Sequence, residues 1–372
     1  MSTQQPAVRG GWLEASRQPM LDAALAGIPA DATMEMKVAA MEDLAAKLQA
    51  LAEWDRWDSK SMTSVVLKRN YREVERIDVG SKLSALHVLP NGSMVSGDND
   101  GALCIWRKGT DGTWGHEKLR GLTGRFYCLQ ALPDGRIVSG NGWEGLGIWA
   151  RGIDGEWSCE RCPSLVHDVS CLQVLPDGII VCGRSEGAVH ILTRSTDGTW
   201  SSKELNDQVK WAHTIQVLPD GRILTGLSHG RCCIWTKGSD GEWSREVLQG
   251  DYAPVYSIQG LPDGRIVAAT GVNSRLCIWT KEGPGGWKSE MLPGPSTGSL
   301  CLQVLADGRI VSGLGDATLR IWSNPKDWDC EVISGHEKPV SCIQVLPDGR
   351  IISGSDDGTI RIWDGEEVSR GE

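Results

Sequence analysis

Three residues, His336, Ser353 and Asp357, are of the types that form a hydrolase triad. In such a triad histidine accepts the serine proton and aspartate orients the imidazole. Ser353 lies within the strand-like run IISGS rather than at a strained turn, and the surrounding glycines form no oxyanion-hole pattern. We therefore expect a structural hydrogen-bonded network here and no enzymatic activity.

A second group, Cys159, Cys162, His167 and Cys171, has a spacing close to that of a zinc knuckle, and thiolate and imidazole are zinc ligands. Comparison with the rest of the chain weakens this hypothesis. Cys159 occupies the same position of an internal repeat as Cys330, and Cys171 occupies one where other units carry cysteine, alanine, threonine or serine. The cysteines thus behave as small core residues, and we predict no metal and no cofactor.

The elements that position these residues come from an internal repeat. A run resembling LPDGRIVSG begins at seven leucines, 43, 43, 43, 43, 44 and 41 residues apart. These are Leu89, Leu132, Leu175, Leu218, Leu261, Leu305 and Leu346. A period of roughly 40 to 45 residues is typical of a β-propeller, in which each repeat forms one blade. The sequence therefore predicts seven blades.

Each unit contains four segments of strand character separated by turn residues. In the fourth unit they are residues 212–218, 222–226, 231–235 and a strand beginning at Trp243. A single four-stranded blade exposes both apolar faces, so it needs a neighbour on each side. Closure of the blades into a ring meets this need.

Tryptophans recur at two positions of the repeat, where packing between blades is their expected role. Those at the end of the third strand are Trp106, Trp149, Trp235, Trp279, Trp322 and Trp363, with Leu192 in the third unit. Those at the start of the fourth strand are Trp114, Trp157, Trp200, Trp243, Trp287 and Trp328. Together they account for 12 of the 17 tryptophans.

The seventh unit ends after Trp363 without a fourth strand, whereas residues 70–79 resemble the fourth strands of other units. We predict that residues 70–79 pair with the last third strand and close the ring, which also removes open sheet edges. The fold class is therefore an all-β, seven-bladed propeller over residues 63–372. Residues 1–62, rich in alanine, methionine, leucine and glutamate, are predicted to form a short α-helical segment.

The last unit resembles the WD-repeat family of β-propellers, through Gly335-His336, the LPDG turn, the run SGSDDG and Ile362-Trp363-Asp364. The resemblance covers about residues 63–372. It implies a network from Trp363 through Ser353 and His336 to Asp357. Only this unit keeps all four residues, so we expect tryptophan packing and turn chemistry to hold the other blades.

The composition of the chain limits the classes of partner and the cellular compartment that we expect. The net charge is -10, from 48 acidic and 38 basic residues, which argues against general nucleic-acid binding. Five arginines after the LPDG turns are expected to be solvated strand-edge charges. No apolar run approaches the roughly 18 residues of a membrane helix, and residues 1–10 lack the apolar core of a secretory signal. Cysteines used as core fillers suit a reducing compartment, so a cytoplasmic protein is expected.

Binding residues are sought where the repeats differ, in the loops before the first strand and between the second and third strands. The resemblance implies that both loop sets open on one face around the channel. Aromatic residues and one arginine there are enriched in binding hot spots, and we take them as partner-binding candidates. They are Arg125, Phe126, Tyr127, Trp143, Trp211, Tyr252 and Tyr256. The alternative is that several of them cap the channel.

Before the propeller, an apolar stripe at helical spacing is formed by Met34, Val38, Met41, Leu44, Leu48 and Leu51. Docking on the propeller, self-association and recruitment of another protein are three alternatives for this stripe. The leading hypothesis for the whole chain is a non-enzymatic scaffold that binds a protein or peptide on its loop face. The alternatives are a small-ligand or carbohydrate-binding propeller or an enzyme, and an adaptor or substrate receptor recruited through the amino-terminal helix.

Overall fold

The computed structural model describes residues 69–162, 168–184, 189–205, 212–228, 230–248, 253–271, 276–283, 286–292, 298–323, 330–346 and 348–367. The chain divides into two units, Met1–Val65 and Val66–Glu372. The helical segment predicted for residues 1–62 lies outside the described residues and stays a prediction.

The described strands form seven four-stranded antiparallel sheets, each a blade of the propeller. Blade 1 contains β2 (Leu83–Val88), β3 (Met94–Asp98), β4 (Leu103–Lys108) and β5 (Trp114–Leu119). Blade 2 contains β6 (Phe126–Ala131), β7 (Ile137–Asn141), β8 (Gly145–Arg151) and β9 (Trp157–Arg161). Blade 3 contains β10 (Val169–Val174), β11 (Ile180–Arg184), β12 (Val189–Arg194) and β13 (Trp200–Leu205).

The remaining sheets follow the same plan. Blade 4 contains β14 (Ala212–Val217), β15 (Ile223–Leu227), β16 (Cys232–Lys237) and β17 (Trp243–Leu248). Blade 5 contains β18 (Val255–Gly260), β19 (Ile266–Thr270), β20 (Leu276–Glu282) and β21 (Gly286–Met291). Blade 6 contains β22 (Ser299–Val304), β23 (Ile310–Leu314), β24 (Leu319–Trp322) and β25 (Cys330–Ile333). Blade 7 contains β26 (Val340–Val345), β27 (Ile351–Ser355), β28 (Thr359–Glu367) and β1 (Arg69–Asp78).

These sheets confirm the predicted seven-bladed propeller and its closing strand. The early strand β1 pairs antiparallel with β28, with Ile77 opposite Ile360 and Glu73 opposite Trp363. An ion pair of 2.5 Å between Arg361 of β28 and Glu73 of β1 adds to this junction. Within the part of the chain that the structure describes, no helix has the length and apolar character needed to cross a bilayer.

Apolar clusters fill the boundaries between neighbouring blades, and the third-strand tryptophans lie inside them. Between blades 1 and 2, for example, Val95 and Ile105 pack with Phe126, Ile137 and Trp149. The indole of Trp149 is fully buried there. Because each cluster draws on two blades, no blade completes its core alone. This arrangement agrees with the packing role predicted for these tryptophans.

The first strands form the inner ring, in which each contacts the first strand of the next blade and the seventh contacts the first. Each is an edge strand of its sheet, so part of its backbone needs hydrogen-bond partners from elsewhere. Glutamines supply four of these partners by accepting a bond from the next blade's backbone N–H. The pairs are Gln130 and Val174 (2.5 Å), Gln173 and Val217 (2.5 Å), Gln216 and Gly260 (2.5 Å), and Gln259 and Val304 (2.8 Å).

Blade 1 carries His87 where the first strands of the other six blades carry glutamine. The side chain is partly buried within the inner ring. Burial lowers the pKa of His87 to about 4, since desolvation disfavours the imidazolium form. The folded protein therefore holds His87 neutral at pH values where an exposed histidine binds a proton.

We predict that His87→Gln removes part of the acid sensitivity of the fold. In the unfolded chain the imidazole of His87 binds a proton as the pH falls through about 6.5. In the folded chain it does so only as the pH falls to about 4. The neutral imidazole therefore contributes stability that is present above about pH 6.5 and lost as the pH falls toward 4, by up to about 3 kcal/mol. Urea unfolding at about pH 7 and about pH 4.5 should show a smaller pH effect in the variant. An unchanged difference between the two pH values would contradict this account.

The LPDG turns follow the first strands and lie on the face of the propeller opposite the loop face. In these turns the arginine and aspartate side chains pair with each other. After Asp134-Gly135 the side chain of Arg136 binds the Asp134 carboxylate at 2.7 Å. Four further pairs repeat this arrangement at 2.6–2.8 Å, namely Arg222–Asp220, Arg265–Asp263, Arg309–Asp307 and Arg350–Asp348. The five arginines therefore form no unneutralised basic ring, which removes the main structural argument for a phosphate-binding rim.

Candidate functional site

A β-bulge at the start of every first strand decides which side chains reach the mouth of the inner ring. In blade 2 the pairing register shifts between Phe126 and Cys128, so Tyr127 has no partner residue on the second strand. Such a bulge re-aims the extra side chain and is common beside functional sites. The seven bulge residues are Ser84, Tyr127, Ser170, His213, Tyr256, Leu300 and Ser341.

Where the bulge residue is serine, its hydroxyl covers a backbone carbonyl of the next blade. Ser84 donates to the Phe126 oxygen (2.6 Å), Ser170 to the Ala212 oxygen (2.5 Å) and Ser341 to the Leu83 oxygen (2.6 Å). Blades 2, 4, 5 and 6 have a larger residue at this position. These four side chains do not serve the same structural purpose as the bulge serines. Blades 2, 4, 5 and 6 therefore differ from blades 1, 3 and 7 at the mouth of the inner ring.

Blades 4 and 5 place two aromatic rings together. The rings of His213 and Tyr256 lie 5.9 Å apart between centroids. Tyr256 is 41% exposed, and its ring lies close to Gly271 of the following loop, where an added Cβ would be 2.7 Å from Cε2. Burial lowers the pKa of His213, so the imidazole is neutral beside the phenol ring at pH 7.

Of the aromatic side chains on this face that the structure describes, the most exposed belongs to blade 2. Trp143, in the loop between β7 and β8, is 77% exposed. The Arg125 guanidinium lies over the ring of Tyr127 at 5.0 Å from its centroid. Tyr127 in turn lies close to Gly142, where an added Cβ would be 2.7 Å from Cε2. Trp143 follows Gly142 and lies against Gly124, the residue before Arg125, where an added Cβ would be 2.9 Å from Cδ1. We call Arg125, Tyr127 and Trp143, which lie on these two adjoining loops, the blade 2 cluster.

A buried asparagine joins the two loops that carry this cluster. Asn141 is fully buried, and its Nδ2 donates to the carbonyl oxygens of Thr123 (3.0 Å) and Gly124 (2.9 Å). Its Oδ1 accepts from the backbone N–H groups of Trp143 (2.8 Å) and Glu144 (3.0 Å). One side chain therefore makes four hydrogen bonds and holds the Trp143 loop against the Arg125 loop.

The structure places the predicted binding residues in different environments. It stacks Arg125 on Tyr127 and places Trp143 against Gly124, the residue before Arg125, whereas Tyr256 lies with His213. Phe126 is corrected, because its side chain is fully buried in the cluster between blades 1 and 2 and is not on the surface. Trp211 and Tyr252 lie outside the described residues.

Two mouth residues, His213 and Leu300, were missed from the sequence. Both are bulge residues, and each immediately precedes the position that carries a small residue, Thr214 or Cys301, in the first strand. Alignment of the seven first strands on that small residue would have found them. The missing information was the bulge, because regular alternation places these side chains on the wrong face.

Comparison with known proteins agrees with this geometry. The family described as "WD domain, G-beta repeat" matches residues 329–364, which include β26 and β27. One repeat of the chain therefore matches this family, and the fold of the chain is a seven-bladed β-propeller. Among solved structures it is similar to the crystal structure of the WD40 beta propeller domain of Doa1, with a TM-score of 0.66 and 16% identity over 80% of this chain and 98% of that chain. No curated protein matches the sequence. At this identity the likeness to Doa1 concerns the fold.

The last WD repeat contains the hydrogen-bonded network that the resemblance implies. His336 Nδ1 and Asp357 Oδ2 are 2.9 Å apart, and His336 Nε2 and Ser353 Oγ are 2.7 Å apart. Trp363 Nε1 donates to the same serine oxygen at 2.8 Å. Ser353 is fully buried, and its Oγ already meets both His336 and Trp363.

Part of this network recurs in other blades, which corrects the expectation that packing and turns alone hold them. The third-strand indole N–H donates to a second-strand hydroxyl in four further blades. The pairs are Trp106–Ser96 (2.8 Å), Trp149–Ser139 (2.8 Å), Trp235–Thr225 (3.1 Å) and Trp322–Ser312 (2.8 Å). The signal was present as Ser or Thr in the second strand, ten residues before each tryptophan.

No disulfide bond joins the cysteines in the described part of the propeller, and many of them are buried. Burial raises the pKa of Cys159 to about 11 and that of Cys171 to about 12, so both thiols are protonated at pH 7. His167 of the zinc hypothesis lies outside the described residues. Among the residues that the structure does describe, no group of three or more His, Cys, Asp or Glu side chains is placed to hold a metal ion.

We predict that Asn141→Ala loosens the Trp143 loop without unfolding the propeller. The change removes four hydrogen bonds and leaves buried carbonyl and N–H groups unpaired, at a cost of about 1–3 kcal/mol. Hydrogen exchange at the amides of Trp143 and Glu144 should accelerate, while exchange in β2 and β26 stays slow. Asn99→Ala in the corresponding loop of blade 1 is the control, because Asp98 holds that loop. Equal exchange in wild type and Asn141→Ala would show that Asn141 does not hold the loop.

Proposed function

We propose that this protein is a non-enzymatic scaffold whose loop face binds a protein or a peptide. Propellers of the WD-repeat type generally mediate protein–protein interactions. The loop face comprises the loops before the first strands and between the second and third strands, together with the bulge residues at the ring mouth. The function proposed for this chain is the capture of a protein partner on that surface.

The position of the exposed aromatic side chains carries the proposal. Six large apolar or aromatic residues of the described chain are conspicuously exposed, and three of them, Tyr127, Trp143 and Tyr256, lie on the loop face. Tyrosine and tryptophan are the residues most enriched in binding hot spots. The other three, Val74, Ile153 and Val332, are aliphatic and lie elsewhere, on outer strands or on a hairpin turn. The loop face is therefore where the described chain concentrates hot-spot residues.

Rigid presentation adds to the argument. The Trp143 loop is held by Asn141, and Glu144 Oε1 accepts from the Thr123 backbone N–H at 3.0 Å. A side chain held before the partner arrives loses less conformational entropy on binding. An indole that is left 77% exposed on a loop whose backbone is held contributes little to folding, whereas it supplies a large apolar area for a partner.

The alternative functions have weaker support. Burial of Ser353 argues against use of the triad-type residues in catalysis. A cleft of about 500 Å³ lies between β1 and blade 1, but Lys108 and Trp114 already bind Glu75 within it, which leaves fewer polar groups for a small ligand. Recruitment through the amino-terminal stripe rests on residues outside those described and stays a separate proposal. Protonated, buried thiols support the proposal that the protein acts in the reducing cytoplasm.

We predict that the double variant Trp143→Ala/Tyr256→Ala loses partner capture and keeps its fold. Both side chains are exposed, so the thermal midpoint should change by no more than about 2 °C, whereas hot-spot truncation should reduce captured protein by at least about tenfold. Quantitative affinity capture from lysate measures the loss for every protein recovered by wild type.

The matched control is Ile153→Ala, which removes a fully exposed apolar side chain from the hairpin between β8 and β9 on the opposite face. It should capture the same proteins as wild type. If the double variant retains all wild-type partners while Ile153→Ala loses them, the binding surface is on the other face and the proposal is wrong.

A further inference from the structure

The blade 2 cluster combines the cationic side chain of Arg125 with two aromatic side chains. The charge of Arg125 says more about the chemistry of a partner than the aromatic rings do. Arg125 is exposed, and its guanidinium lies over Tyr127. Stacking on the ring leaves the edge of the planar guanidinium free to donate to a partner. The backbone is also held, since the Gly142 N–H donates to the Arg125 carbonyl oxygen at 3.3 Å. The cation is thus presented in one orientation rather than as a mobile surface charge.

The acidic side chain that follows Trp143 in its loop is already engaged. Glu144 accepts hydrogen bonds from Thr123 and forms an ion pair with Arg161. Across the described ranges of the chain, Arg125 forms no ion pair. In blade 1 the corresponding residue before the first strand is Lys82, which is paired with Asp356 at 3.7 Å. The two cations at this loop position therefore differ, and Arg125 is the one left without a carboxylate.

The size of the surface favours a short segment over a nucleic acid or a membrane. Phosphate backbones and anionic bilayers need several basic groups in one patch, and the net charge of the chain is -10. The blade 2 cluster offers one arginine with an exposed indole beside it. A carboxylate suits the guanidinium because two parallel N–H donors match its two oxygens, and an adjacent apolar side chain suits Trp143.

We propose that the blade 2 cluster binds an acidic linear segment of a partner protein, with an Asp or Glu carboxylate on Arg125 and a neighbouring apolar side chain against Trp143 and Tyr127. This inference rests on the proposed function and specifies the chemistry of the partner. It also explains Gly142, because a side chain there would displace the Tyr127 ring that supports Arg125. The negative net charge gives no long-range attraction for such a segment, so recognition depends on this short-range contact.

The test selects ligands from a phage-displayed library of random linear peptides on the immobilised full chain. Enriched peptides should share Asp or Glu next to an aromatic or aliphatic residue. For a synthetic peptide of that sequence, Arg125→Ala should raise Kd by at least about tenfold, and Arg125→Lys should recover only part of the loss. Lys82→Ala, which alters the corresponding loop of blade 1, should leave Kd unchanged.

A second arm changes the peptide. Replacing its acidic residue by the amide should weaken binding to wild type by the same factor as Arg125→Ala and have little further effect on that variant, as a double-mutant cycle requires. Enriched peptides without acid, or equal binding to wild type and Arg125→Ala, would overturn the inference. A segment bound only when phosphorylated at that position would also overturn it. If Trp143→Ala still abolishes binding in these cases, the proposed function stands; if no ligand depends on Trp143 or Tyr256, that function fails as well.

Discussion

The structure depends on one constraint, which is that a four-stranded blade has two apolar faces and buries neither alone. Every interblade cluster draws its residues from two neighbouring sheets, so each blade is stable only inside a closed series. Closure in turn needs β1, which leaves the beginning of the propeller to complete the last sheet against β28. The ion pair between Glu73 and Arg361 joins the same two strands, and the His336 network lies beside it in the last blade.

The same constraint explains the inner ring. First strands are edge strands, and their backbone groups would be unsatisfied if neighbouring blades did not reach across. Glutamine covers N–H groups of the next strand, and serine at the bulge covers carbonyl groups. Blades without the bulge serine carry Tyr127, His213, Tyr256 or Leu300 instead, so the ring gives up a structural bond where it presents a larger side chain. The bulge position of the repeat thus carries either a serine that bonds the next blade or a larger side chain at the ring mouth.

Much of the fold was predictable because it repeats. Turn residues and apolar strands recurring about every 43 residues indicate blades, and the missing fourth strand of the last unit indicates β1 as its replacement. The candidate site was predictable only in part. Loop position identified Arg125, Tyr127, Trp143 and Tyr256, but it also included Phe126, because a residue beside a loop looks exposed until the strand register is known. Burial of Phe126 follows from its place opposite Asn141, one residue before the bulge.

By itself the sequence determined the number of blades, the order of strands in each, the tryptophan packing positions and the closing strand. These features follow from local turn chemistry and from a hydrophobic pattern that recurs in every unit. Only the tertiary structure decided which side chains face the ring mouth, that Asn141 joins two loops and that Arg125 lies over Tyr127 without an acidic partner in the described chain. Those facts depend on a one-residue shift of strand register and on contacts between loops about 20 residues apart, which arise when the blade folds.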